Sequence, residues 1–222
     1  MLDFEPKYIT FDMHGTLIRW HINQMTRELL ADVVPADRMG EFIESFRWQR
    51  LDEVLGPWKP FPDVIHDSFR KTLERFNLPY RQADSQAIVD ALPTWGPYPE
   101  VPAALRALAS RYPLVILSNA ADNQVMSNVE KLGAPFHAVY TAEQAGFYKP
   151  RYGAFEYMLE QLDASPDDFL HVSSHTRYDL MPAHDLGFRN TVLLERGYDP
   201  PAPVYGYAKA DSLDEVNTFL GI

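Results

Sequence analysis

Short apolar runs, set apart by stretches of helical period, give the plan of the chain. KYITFD (7–12), PLVILSN (113–119), FLHVSS (169–174) and NTVLLE (190–195) are rich in β-branched and large apolar residues and are bounded by turn or polar residues, the pattern of strands. None alternates cleanly between apolar and polar, so these strands are expected to be covered on both faces. A weaker run, AVYTA (138–142), lies among them. Between them, VPAALRALASRY (101–112), DNQVMSNVEKL (122–132), YGAFEYMLEQL (152–162) and DLMPAHDLG (179–187) repeat their apolar positions at helical spacing. Strand and helix in alternation predict an α/β fold, a Rossmann-like parallel sheet with helices on both faces.

Residues 17–92 break this rhythm. MTRELLADVV, RMGEFIESFRWQRLDEVL and VIHDSFRKTLERF have helical period, and no run there reads as a strand. PTWGPYPEVP (93–102) then holds four prolines and a glycine in ten residues, which marks a connector. The expected organisation is an α/β core of residues 1–16 and 98–222, interrupted after its first strand by a helical domain, 17–97. In open parallel sheets ligands bind beyond the carboxyl ends of the strands. The residues at those ends are Asp12, Ser118–Asn119 and Ser173–Ser174, with Asp179 close behind and Lys149 after the weak strand.

Composition narrows the function. Of 222 residues, 46% are hydrophobic and 23% charged, and the net charge is −11. That charge argues against nucleic acid or an anionic membrane as partner. No run reaches the roughly 18 apolar residues that span a bilayer. The opening MLDFEPKYIT has acids at 3 and 5 and no apolar stretch, so a secretory leader is not expected and a cytoplasmic protein is. The absence of cysteine removes disulfides, thiolate zinc sites and cysteine nucleophiles. Histidines 14, 21, 66, 137, 175 and 184 show no metal-ligand spacing.

Asp12, Thr16, Ser118, Asn119, Lys149 and Asp179 stand in the order and near the strand ends of the haloacid dehalogenase superfamily, which this chain resembles over its whole length. The motifs are D-x-x-G-T at 12–16, ILSNA, GFYKP and HVSSHTRYD. Phosphatases of that superfamily carry a second aspartate two residues after the nucleophile, and 2-haloacid dehalogenases carry tyrosine; here the residue is His14. ILSNA and the YKP of GFYKP have the dehalogenase form, and SFRWQRLDEVL resembles the segment in which an arginine, here Arg47, precedes a leucine by four. Ser173 and Ser174 occupy the place where phosphatases use a carboxylate for Mg²⁺, and losing one of its few carboxylates weakens such a site. The nearest resemblance is to the (S)-2-haloacid dehalogenases, which implies a reaction without metal or cofactor, a small carboxylic acid as substrate and a homodimer. Three positions depart from that pattern: His14 for tyrosine, Phe155 for a substrate-contacting tyrosine, and His175 for asparagine.

The resemblance implies displacement through an aspartyl ester. Asp12 attacks the α-carbon of a 2-substituted acid with inversion, and water releases the 2-hydroxy acid from the ester. Lys149 keeps Asp12 charged, Thr16 fixes its rotamer, and Asp179 orients or deprotonates the water. Ser118 and the Asn119 N–H hold the substrate carboxylate, while Arg47 and the Asn119 side chain face the leaving group. Trp20, Trp48 and Phe155 form apolar walls. Ser173 and Ser174 both stand as the functional serine, with His175 beside them. His14 suggests two alternatives: protonation of an amine in the opening of a strained ring such as azetidine-2-carboxylate, or the acid role in a Mg²⁺-dependent phosphatase.

Overall fold

The computed structural model describes residues 4–222. In chain order the elements begin with β1 (Tyr8–Phe11), then α1 (Ile22–Leu29), α2 (Met39–Leu55), α3 (Phe61–Arg75) and α4 (Gln82–Ala91). They continue with α5 (Val101–Ala109), β2 (Leu114–Ser118), α6 (Asp122–Leu132), β3 (Ala138–Thr141), α7 (Ala142–Ala145) and α8 (Tyr152–Leu162). Last come β4 (Phe169–Ser173), α9 (Met181–Asp185), β5 (Asn190–Leu194), β6 (Ala208–Ala210) and α10 (Leu213–Phe219). The chain divides into two compact units: residues up to Arg19 with Gly96–Ile222, and Trp20–Trp95. The boundaries fall inside the 17–97 read from the sequence because Ile18 bridges to Pro97. Arg19 N–H also donates to Gly96 O at 3.0 Å, and Tyr98 N–H to Leu17 O at 3.1 Å.

The first unit is a six-stranded sheet in the order β3-β2-β1-β4-β5-β6, parallel throughout. β1, β2 and β4 are buried along their whole length, which explains their unbroken apolar runs. Tyr8, Val115, Leu117, Phe155, Met158, Phe169, Ala183 and Phe188 form one apolar layer where α8 and α9 cover the sheet. The sequence reading missed β6 and α10. AKA is too short and too polar to read as a strand, and it joins the sheet at its edge beside β5.

The second unit is helical. α2 buries Met39, Phe42, Ile43 and Phe46 at the three- and four-residue spacing of one helix face. Phe42 and Phe46 meet Phe69 of α3 edge to face at 6.2 and 5.2 Å, geometry that suits the aromatic quadrupole. The buried Glu53 carboxylate is neutralised by Lys59 and Lys71. Arg47 lies over the Trp48 ring at 4.8 Å, and Trp20 meets Trp95 edge-on at 5.0 Å. Among the described residues no helix is long and apolar enough to cross a membrane.

Candidate active site

The parallel order places β1 centrally, between β2 and β4, so three strand ends converge on Asp12. The Asp12 N–H extends the ladder to Val172 O at 3.1 Å, and the side chain is 8% exposed. Thr16 Oγ1 donates to Asp12 Oδ2 at 2.7 Å, and Lys149 Nζ donates to Asp12 Oδ1 at 2.9 Å. Both carboxylate oxygens are therefore fixed. The turn between Asp12 and Thr16 passes through Gly15 at φ +93, where a Cβ would sit 2.6 Å from His175 Nε2. Glycine alone allows both that dihedral and that approach.

Lys149 is the hub of the site. Its three N–H bonds go to Asp12 Oδ1, to the Leu117 carbonyl at 2.8 Å and to Asp179 Oδ1 at 2.7 Å. The side chain is 1% exposed. Burial pushes the ammonium pKa down, but the Asp12 and Asp179 charges outweigh it and leave it above the ordinary lysine value. Asp179 is fully buried, and burial raises its carboxyl. The Lys149 charge and the bond from His171 reverse that and hold it well below the usual carboxylate range. Asp179 Oδ2, itself buried, accepts no hydrogen bond from any of the described residues.

Asp179 reaches Lys149 by way of a π turn, Thr176–Leu180. Leu180 N–H bonds back to His175 O at 3.3 Å, the i→i−5 link of that wide turn, an uncommon element that recurs at functional sites. The same segment separates the two serines. Ser174 N–H donates to Thr16 Oγ1 at 2.9 Å, and Ser174 Oγ lies 3.1 Å from it. The Thr16 proton is given to Asp12, so the Ser174 hydroxyl donates to Thr16. Ser173 Oγ instead accepts the His175 N–H at 3.0 Å and closes a turn. Ser174→Ala should therefore slow turnover by roughly tenfold or more, the cost of about one hydrogen bond, with Ser173→Ala within about threefold of wild type. Initial rates of the two variants on one substrate check this.

Several residues lie elsewhere than the sequence suggested. The Asn119 amide does not face a leaving group: its Oδ1 accepts the Lys149 N–H at 2.7 Å and its Nδ2 donates to Lys149 O at 2.9 Å. It clamps the lysine loop to the end of β2. Phe155 is no wall of the site, since α8 turns it into the apolar layer under the sheet. His175 Nε2 bonds the His14 carbonyl at 3.1 Å and braces the Asp12 turn. Ser118 Oγ accepts the Ala120 N–H at 3.2 Å. Arg47, Trp48 and Trp20 belong to the helical unit described above.

His14 Nε2 lies 3.2 Å from Oδ1 of the buried Asn128 on α6, a partner the sequence did not disclose. Burial lowers the His14 pKa to about 4, against the raising effect of Asp12. The ring is neutral at pH 7 and acts as a hydrogen-bond donor. Its folded pKa lies below its unfolded value, so between about pH 6.5 and 4 the unfolded chain binds a proton that the folded chain does not. Stability should fall on acidification through that window, and less steeply in His14→Gln. Urea midpoints at pH 7 and 4.5 measure the difference.

Asp12 and Asp179 both direct Oδ1 at the Lys149 ammonium. Among the described residues no three His, Cys, Asp or Glu side chains gather where they could hold a metal ion.

A family model for haloacid dehalogenase-like hydrolases matches residues 6–187. The chain is similar to an (S)-2-haloacid dehalogenase of Burkholderia cepacia, 25% identical over 86% of this chain and 84% of that one. Its fold is similar to that of a solved L-2-haloacid dehalogenase, with a TM-score of 0.82 at 22% identity over 98% of this chain and 100% of the other. It is also similar to the Xanthobacter autotrophicus L-2-haloacid dehalogenase with chloropropionic acid covalently bound, with a TM-score of 0.76 at 19% identity over 98% and 99% of the two chains.

Proposed function

The chain belongs to the haloacid dehalogenase-like hydrolases, and from that premise we propose that it is a metal-independent (S)-2-haloacid dehalogenase working through an ester on Asp12. The observation that carries this reading is the single ammonium of Lys149 shared by Asp12 and Asp179 at 2.9 and 2.7 Å. It leaves one carboxylate charged and aimed, and beside it a second one whose buried Oδ2 has no hydrogen bond from the described residues.

In the first step an Asp12 oxygen attacks C2 of the haloacid from the side opposite the halogen, and halide departs with the bonding pair. Oδ1, gripped by Lys149, stays as the ester carbonyl oxygen, and Oδ2 carries the new bond. In the second step water attacks the Asp12 carbonyl carbon while one of its protons passes to Asp179 Oδ2. The oxyanion develops on Oδ1 against the ammonium, a preorganised charge of the kind that contributes most to such barriers. The bond between the carbonyl carbon and the alkyl oxygen then breaks. The alkoxide takes the remaining proton, the 2-hydroxy acid leaves, and Asp179 returns its proton to solvent.

The Ser118 hydroxyl and the Asn119 N–H are assigned to the substrate carboxylate. By resemblance, Arg47 is assigned to the leaving group, Trp20 to an apolar wall and the helical unit to the role of a cap. A halide needs stabilisation but no proton, which suits a neutral His14. The ring-opening alternative needs His14 as proton donor, and a ring with a pKa of about 4 is a poor one at neutral pH. We place the enzyme in the cytoplasm, as a homodimer.

The test is (S)-2-chloropropionate, with halide and lactate measured in the presence of EDTA and then of Mg²⁺. Equal rates under both conditions and (R)-lactate as product are expected. Mg²⁺-dependent hydrolysis of p-nitrophenyl phosphate without halide release would overturn the proposal.

A further inference from the structure

Position 171 was silent in the sequence, where its histidine reads only as a polar break within an apolar strand. Sheet register pairs His171 of β4 with Thr10 of β1, two residues before Asp12 and therefore on the same face of that strand. Both side chains are fully buried. Around the imidazole lie Phe155 at 5.6 Å and Phe188 at 6.2 Å, members of the apolar layer beneath the sheet. A histidine in such a layer is costly unless both ring nitrogens are satisfied, and both are. Nδ1 is 2.9 Å from Thr10 Oγ1, and Nε2 is 3.2 Å from Asp179 Oδ1.

The partners settle the ring's proton. An ionised carboxylate can only accept, so Nε2 carries a hydrogen, and in the neutral ring Nδ1 then accepts from the Thr10 hydroxyl. Asp179 Oδ1 then receives two hydrogen bonds, from Lys149 and from His171, while Oδ2 receives none from the described residues. Two donors on one oxygen fix both the rotamer and the tilt of the carboxylate and keep the other oxygen as a free acceptor.

We propose that His171, oriented by Thr10, is a positioning residue that fixes Asp179 so that its second oxygen addresses the water hydrolysing the Asp12 ester. The inference deepens the dehalogenase reading and rests on it. It predicts a selective effect. Asp179 has no part in carbon–halogen cleavage, so loss of His171 should slow ester hydrolysis and spare alkylation of Asp12.

The experiment compares wild type, His171→Phe, His171→Gln and Thr10→Val by rapid-quench halide release and intact-protein mass. In His171→Phe the first-turnover halide burst should stay within about twofold of wild type while steady turnover drops by roughly ten- to a hundredfold. Ester-bearing protein should then accumulate. His171→Gln, whose amide N–H can reach in place of Nε2, should recover most of the hydrolysis. Thr10→Val should lie between. Equal slowing of burst and turnover, or no slowing of either, would overturn the proposal. Nitrogen-15 spectra of the ring supply a readout independent of turnover. They should show a neutral Nε2–H tautomer whose signals move in Asp179→Asn, and an Nδ1–H tautomer would overturn the assignment. A wild-type protein that releases halide from no 2-haloacid refutes the dehalogenase reading instead, and the ring spectra then decide whether His171 holds Asp179.

Discussion

Asp12→Asn should release no measurable halide, a fall of at least about 10⁴-fold in turnover, and yet stay folded. An amide oxygen is too weak a nucleophile to displace halide from carbon, so what remains is uncatalysed hydrolysis. The fold should survive because the amide oxygen can still accept from Lys149, whose charge remains matched by Asp179 at 2.7 Å. The melting temperature should move by only a few degrees. The wild-type counterpart is a single turnover in ¹⁸O-enriched water. If water attacks the Asp12 carbonyl, as proposed, the heavy oxygen should enter the protein first, as a gain of about two mass units, while the first hydroxy acid takes its oxygen from Asp12. Heavy oxygen in that first product, with the protein unlabelled, would mean direct attack of water on the substrate.

Lys149→Met should have the largest effect on the protein as a whole. It removes the cation from between two buried carboxylates at 2.9 and 2.7 Å and leaves like charges facing each other out of water. Breaking a buried pair in this way costs about 3–5 kcal/mol. For a chain of this length that is roughly 6–20 °C in melting temperature. Activity should fall by about 10³-fold or more, since neither the approach of the anionic substrate nor the oxyanion is then stabilised. Adding Asp179→Asn should restore part of the stability and none of the activity, because the two positions share one interaction and their effects do not add. If the double variant melts as low as Lys149→Met, charge matching is not what holds this centre.

Much of this arrangement could be read from residue order, because the strands are apolar runs and the polar groups that close them stand out. Asp12, Lys149 and Asp179 are far apart in sequence, and the parallel sheet brings them within hydrogen-bond reach. What stayed hidden depends on register and helix phase. One residue separates Ser173 from Ser174, and only the register of the turn shows that Ser174 is the one bonded to Thr16. Phe155 follows Lys149 by six, yet the phase of α8 turns it to the core. Asn119 offers both a donor and an acceptor, and only the path of the lysine loop shows that both are used on Lys149. His171 leaves no local signal, since its two partners come from β1 and from the π turn.

The strand order 3-2-1-4-5-6 also bears on biosynthesis. β1, which leads into Asp12, leaves the ribosome before either of its neighbours, since Ile9 pairs with Leu114 on one side and Tyr8 with Phe169 on the other. Such distant pairing must await loop closure over the intervening chain. During translation the Trp20–Trp95 helices, whose contacts are local, can therefore form before the strand that carries Asp12 has a neighbour. A nascent chain arrested before Phe169 lacks both the second wall of β1 and Asp179. It should bind no haloacid and remain susceptible to proteolysis around Tyr8–Phe11, and catalytic competence should arise only once the β4 segment has emerged.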